Sequence, residues 1–291
     1  MSLFVEQHAT PSAFSSAPWV ILTPIEQRIK EKIEAVGTPL KDWDIQIYRG
    51  VLTGCNEAFI IDTAKRDEIL SNCQTEEERQ RTEALIRPIL RGRDIKRYGY
   101  VDNGLYLINT HNGVKGKMPR IDINDYPAVK THLDQYWDKI SVRADKGDTP
   151  YNLRNCAYLE DFSKPKIIFQ EIVQESQYCY DETAHFMCND TCRIIVGANL
   201  PFLLGVLNSK LFFYSVKKFY GGGVLGDHGI RMKHTFFCNF PCLPYNAEIE
   251  REALKLSVHC DDLQAERLDE LLFSLYSLSR EETTEIVKSL T

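Results

Sequence analysis

A capped helix followed at once by a strand, a turn and a second strand limits this fold more than any bulk property does. Thr23-Pro24-Ile25-Glu26 has the form of a capping box with proline at the first helical position. Behind it Ile25, Ile29, Ile33 and Val36 recur on one helical stripe, and Gly37 ends the run. The period then changes. In WDIQIYRGVLTGCNEAFIID (43–62), Ile45 and Ile47 alternate with polar residues, a loop lies between Gly50 and Gly54, and a second apolar run follows. Helical and strand periods that interleave in this way predict an α+β chain: a mixed β-sheet with flanking helices.

The rest of the chain continues the pattern. Thr63 reads as the cap of a short helix, and Thr75 with Glu78 as the cap of another running to about Ile86. YGYVDNGLYLINTH (98–111), with Asp102-Asn103-Gly104 at its turn, predicts a hairpin. A helix is expected over 127–142, a strand over 166–173 and one amphipathic helix over 200–219. Asn246, and Ser279 with Glu282, are helix starts in a Leu-, Glu- and Asp-rich end. Three segments result: a Ser/Ala/Pro-rich linker or tail at 1–18, a main domain at 19–245, and a helical tail at 246–291 packing on that domain or on a partner.

An apolar fraction of 43% is ample for a packed core. No apolar run reaches the roughly 18 residues of a membrane span, no basic-then-apolar leader opens the chain, and the cysteine usage suits reduced thiols, so a cytoplasmic protein is expected. The nine cysteines are an odd number without a disulfide-scaffold pattern. Cys188/Cys192 and Cys238/Cys242 have C-x3-C spacing, unlike the usual zinc arms, and read as small buried hydrophobes.

The formal charge is -6, but it is unevenly spread. Within RPILRGRDIKRY (87–98), Arg87, Arg91, Arg93, Lys96 and Arg97 face one acid, Asp94. A basic middle between acidic ends suits a polyanion site, or else a solvated face balanced by acids from elsewhere in the fold. The acidic tail is expected to lie away from this zone.

Several chemistries are missing. No glycine-rich turn after a strand suits a methyl-donor cofactor, no Asn/Asp-Pro-Pro-Tyr loop is present, and GGGVLG (221–226) lacks the Gly-Lys-Ser/Thr of a phosphate loop. No H-E-x-x-H and no Gly-x-Ser-x-Gly occurs. A metal nuclease could be sought in Asp161, Glu171 and Lys164 or Lys166, although these acids fall on both sides of a strand. What remains is the basic middle, its aromatic neighbours Tyr98, Tyr100 and Tyr151, and glycine-rich loops at 50–54, 111–116 and 221–229. Glycines permit close backbone approach, though loops need glycine in any case and aromatics are usually core. Together these features favour a DNA-binding module over an enzyme.

The ordered segments WVILTPIEQRI (19–29), WDIQIYRGVLTGCNEAFIID (43–62), IRPILRGRDIKRY (86–98), YNLRNCAY (151–158), KPKIIFQEI (164–172), LLGVLNSKL (203–211) and LYSLSREET (275–283) carry a resemblance. Over 19–285 the chain resembles the TaqI-like C-terminal specificity domain of adenine-specific DNA methyltransferases and single-chain restriction-modification enzymes. The resemblance implies a target-recognition domain without catalysis of its own. It implies double-stranded DNA as partner, and a methyltransferase core in the same or a partner chain. That core flips an adenine and methylates its N6 with S-adenosylmethionine; no cofactor is expected in this chain. The chain then reads as a fragment of a longer enzyme or as a separate specificity subunit, and the linker-like 1–18 favours the fragment.

Candidate DNA contacts lie in three places. Around the first glycine loop and the basic stretch they are Thr53, Asn56, Arg91, Arg93, Lys96 and Arg97; the Arg-Gly-Arg-Asp turn could equally be structural, with Asp94 pinning Arg91 or Arg97. In the central loops they are Lys115, Lys117, Arg120, Arg143, Lys146 and Arg154. After the last glycine loop they are Tyr220, His228, Arg231 and Lys233. Two alternatives stay open: a nuclease using Asp161, Glu171 and Lys166, and a protein-interaction subunit docking through its acidic terminal helices.

Overall fold

A computed structural model of the chain describes residues 22–221, 224, 225 and 229–290; the linker expected at 1–18 and the candidate His228 lie outside the described residues. Helix α1 (Pro24–Val36) leads through β1 (Thr38–Pro39) to β2 (Ile45–Arg49). A helical turn α2 (Asn56–Phe59), β3 (Ile60–Asp62), α3 (Thr63–Ser71), α4 (Glu76–Leu85) and β4 (Ile86–Leu90) follow. The basic stretch carries β5 (Ile95–Lys96) and β6 (Gly99–Tyr100), and β7 (Leu105–Ile108) comes next. Helices α5 (Pro127–Asp134) and α6 (Trp137–Ile140) precede β8 (Lys166–Gln170), β9 (Ile172–Val173), β10 (Tyr178–Asp181), β11 (Met187–Cys188) and β12 (Cys192–Gly197). Then come α7 (Leu200–Leu207), α8 (Lys210–Lys218), β13 (Val224–Leu225), β14 (Gly229–Arg231), α9 (His234–Phe237) and β15 (Pro241–Cys242). Helices α10 (Ala247–Val258), α11 (Asp262–Leu275) and α12 (Arg280–Lys288) end the chain, so the class is α+β.

The organising element is an antiparallel sheet in the order β10-β8-β12-β2. Both of its faces are buried. Ile167, Phe169, Tyr178 and Ile195 point into one core with Ile29 of α1, Leu203 of α7, Phe212 of α8 and the terminal-helix residues Ile249, Leu268 and Ile286. Their neighbours Ile168, Cys179, Ile194 and Val196 point into a second core with Ile61, Ile89, Leu107, Val129 and Leu133. Alternate side chains face opposite ways along a strand. A sheet covered on both faces therefore needs unbroken apolar runs, which is what IIF (167–169) and IIV (194–196) are. The second core rests on a mixed sheet, β11-β4-β7-β3, in which β11 and β4 are parallel. A small third sheet, β13-β14-β9, stands at one end.

Several elements depart from the sequence expectation. Asp102-Asn103-Gly104 does turn, with Gly104 at φ +61° and its N–H donating to Asp102 Oδ1 at 2.9 Å. Its two flanks do not pair with each other, however. Strand β6 pairs with β5, while β7 pairs with β3 and β4, where Leu107 and Ile108 meet Ile60 and Ile86 in the core. Burial of that strand outweighs the local hairpin. The helix expected over 200–219 breaks at Asn208: its Nδ2 donates to the Tyr178 carbonyl (2.9 Å) and its Oδ1 accepts from the Tyr178 N–H (3.1 Å). Ser209 then caps α8 through the Phe212 N–H. Asp62, not Thr63, caps α3, accepting from the Lys65 N–H at 2.8 Å. The capping boxes at Thr23/Glu26 and Ser279/Glu282 are both formed.

Candidate nucleic-acid interface

The C-terminal ends of β2 and β8 and the start of β12 meet at one end of the central sheet, with Arg49 opposite Arg193 and Gln170 opposite Cys192. Three segments leave from there: the 50–55 loop, the 189–191 turn and β9. They are laced together, since Val51 N–H donates to the Cys188 carbonyl (2.8 Å), Glu171 N–H to the Thr191 carbonyl (3.1 Å) and Gly92 N–H to Thr191 Oγ1 (3.0 Å). A Cβ at Gly50 would run into the Asn189 carbonyl, so that glycine lets the chain approach itself rather than a phosphate.

The basic stretch divides into inward and outward cations. Arg91 forks onto Asp94, Nε to Oδ2 at 3.0 Å and NH2 to Oδ1 at 3.1 Å, and its N–H also reaches Oδ2 at 2.8 Å. Burial pushes the Asp94 carboxyl up, but Arg91 pulls it below its ordinary value. Arg97 turns the other way, donating to the Asn208 carbonyl and, at 3.1 Å, to Asp269 on α11. The acidic tail therefore touches the basic stretch at this point, contrary to the separation expected from charge. Arg93 and Lys96 are exposed; Lys96 reaches only the Arg93 carbonyl, and Arg93 has no carboxylate at ion-pair distance among the described residues.

The loops at 111–120 and 141–157 form one unit around two buried polar residues. Arg143 NH1 donates to the Thr53 and Asp145 carbonyls, and NH2 donates to those of Pro150 (3.0 Å) and Asn152 (2.6 Å). Asn152 in turn ties the Ile121 carbonyl at 3.0 Å. Arg143 is thus used inside the protein. Thr53 is as well, its buried hydroxyl donating to Asn56 Oδ1 at 2.5 Å, while Asn56 itself is exposed. The solvent side carries Lys115, Lys117, Arg120, Lys146 and Arg154. Lys117 and Arg120 have only loose acidic partners, Glu160 at 3.7 Å and Asp148 at 3.5 Å. Arg154 is paired with Asp145 at 2.6 Å, and Lys146 reaches the Ser141 carbonyl. The 112–120 loop bounds an open groove of about 840 Å³ with Asp148 and Asn155.

The third group surrounds β9 and β14. Arg231 Nε donates to Glu171 Oε1 (2.8 Å), and Arg193 NH2 donates to Glu171 Oε2 (3.0 Å). Lys233 is exposed over the Phe236 ring. Tyr220 is half-buried between Phe219 and Phe240, and its hydroxyl donates to Glu34 at 3.2 Å. These contacts also dismantle the nuclease arrangement. Lys166 is fully buried and donates to Asp181 (2.6 Å) and the Phe162 carbonyl (2.8 Å). Asp161 is held by Lys164, and Glu171 lies between two arginines. A lysine inside a strand buried on both faces must find an internal acid, and it is then closed to substrate. Among the described residues no group of three or more His, Cys, Asp or Glu could hold a metal, and the Cys188, Cys192 and Cys242 thiols are buried.

Arg49, Ile172 and Arg193 are residues at this end that sequence reasoning passed over. The signal for Ile172 was the two-residue alternation of EIV (171–173), paired with GIRMK (229–233), which sets Ile172 on the same outward face as Arg231.

Residues 87–224 match the family model for the TaqI-like C-terminal specificity domain, a narrower span than 19–285. No curated protein matches the sequence significantly. Among solved structures, the type IIL restriction-modification enzyme MmeI in complex with DNA is similar at a TM-score of 0.61 and 13% identity, over 87% of this chain and 36% of that one. The type IIG restriction endonuclease BpuSI is similar at a TM-score of 0.51 and 14% identity, over 87% of this chain and 33% of that one. The chain thus spans about a third of the length of each, and the likeness is one of fold.

Proposed function

We propose, from the premise that this chain carries a TaqI-like C-terminal specificity domain, that it is the DNA-recognition module of a restriction-modification enzyme. The observation that carries this reading is the set of outward cations on loops tied to one end of the central sheet. Arg93, Lys96, Lys115, Lys146 and Lys233 have no carboxylate within ion-pair distance among the described residues, although the chain as a whole is acidic. Cations left without internal acids are the ones available to phosphates, and phosphate contacts set register on a duplex. Arg143, Arg91 and Arg97 hold the loops in shape instead.

In its finer form the reading assigns duplex positioning to this chain and the chemistry to a methyltransferase core in the same or a partner chain. That core would flip an adenine and methylate N6 with S-adenosylmethionine. The first test is binding of the chain to a randomised DNA duplex by fluorescence anisotropy across a salt series, with sequencing of the retained DNA. We expect log K to fall with log salt at a slope corresponding to several phosphates, about -0.9 per contact, with one short motif enriched. Binding that is absent at low salt, or that ignores salt, would overturn the reading.

A further inference from the structure

The third sheet presents a narrow antiparallel face with one feature that phosphate binding does not require. In the β14–β9 register Arg231 stands opposite Ile172, and Ile230 opposite Val173. Ile230 and Val173 are each 5% exposed and face the core, whereas Ile172 is 51% exposed and the Arg231 side chain 55%. Met232 returns to the core and Lys233 points out again, beside the partly exposed Phe236. Ile172 beside Arg231 gives this outward face one apolar and one charged contact point side by side.

The arginine is also pre-oriented. Its Nε is bound by Glu171, which is itself fixed by Arg193 and by its own backbone, the Glu171 N–H donating to Thr191 and the Glu171 carbonyl accepting from Met232 N–H at 2.7 Å. The two terminal nitrogens of Arg231 have no partner among the described residues. A braced guanidinium has its donor directions fixed, which suits an acceptor pair of fixed geometry better than a freely rotating cation does. A guanidinium held by one edge with two parallel donors free matches the O6 and N7 acceptors of guanine in the major groove, where a two-stranded ribbon fits. An apolar side chain beside it suits a thymine methyl.

We propose that the β9–β14 ribbon reads base edges in the major groove, with Arg231 as the guanine-reading residue and Glu171 its positioning residue. This rests on the DNA-recognition reading above. The test is sequence selection from a randomised duplex, with a salt series, for the intact chain and for Arg231→Ala, Arg231→Lys, Glu171→Gln and Lys115→Ala. Melting of each variant checks that it is folded.

If the proposal holds, Arg231→Ala loses about tenfold or more of the preference at one G·C pair, with the other positions of the motif and the salt slope kept. Arg231→Lys shows the same flattening, because lysine cannot bond bidentately. Glu171→Gln broadens the same position, whereas Lys115→Ala weakens all sequences alike and lowers the slope by about 1. If Arg231→Ala behaves as Lys115→Ala does, or leaves the motif unchanged, Arg231 does not read bases and the proposal falls while DNA recognition stands. If the unaltered chain selects no motif, both fall.

Discussion

Two cations of the same loop-rich region, Arg143 and Lys115, do opposite work. Arg143 is buried against four backbone carbonyls and over the Phe59 ring at 4.5 Å, and burial pushes its guanidinium down to about 10. Removing it strands those carbonyls, so Arg143→Ala is expected to lower stability by about 3 kcal/mol or more in urea unfolding. Lys115→Ala, on an exposed side chain, should stay within about 0.5 kcal/mol. In the sequence Arg143 and Lys146 look alike; only the loop closure that brings Thr53 and Asn152 around the guanidinium separates them. Glu171 adds a dependence on acid. Burial pushes its carboxyl up, yet Arg231 and Arg193 hold it below the ordinary carboxylate range. A lowered folded value means stability that is present above the unfolded value and lost as pH falls through the folded one. Urea unfolding between about pH 3 and pH 6 should therefore show the intact chain losing its margin over Glu171→Gln below about pH 4.

At the scale of elements, the break between α7 and α8 is built rather than accidental. Strand β10 is the edge of the central sheet, and the Asn208 amide offers Tyr178 both a donor and an acceptor, as a neighbouring strand would. Tyr178 N–H and Asn208 Oδ1 are both buried in this contact. Asn208→Ala should cost about 2 kcal/mol in the same unfolding measurement and deprotect the Tyr178 amide in hydrogen exchange. The helix caps were legible because a cap is local: Thr23 with Glu26, Thr75 with Glu78 and Ser279 with Glu282 need only four residues to act. The hairpin at 98–111 and the single helix at 200–219 were misread because Leu107 and Asn208 answer to residues far along the chain, Ile60 and Tyr178. The charge of the basic stretch was legible too. Arg91 held by Asp94 was one of the two readings the sequence offered, and the structure takes it; Arg97 held by Asp269 was not legible, since Asp269 lies far from it in sequence.

At the scale of the whole molecule, the terminal helices are part of the first core rather than an appendage. Ile249, Leu268 and Ile286 pack with α1, α7 and α8, and Lys32 on α1 binds Glu282 at 2.7 Å. The two cores lie on opposite faces of one sheet, and along residues 167–169 of β8 and 194–196 of β12 each residue serves one core while its neighbour serves the other. Neither core can melt and leave the other its wall. The chain therefore has two hydrophobic interiors but a single cooperative unit, so any ligand bound by the loops at one end stabilises the helices at the far end through mass action alone. Binding at the loops and rigidity of the helices then draw on one reservoir of free energy shared across both faces of the sheet.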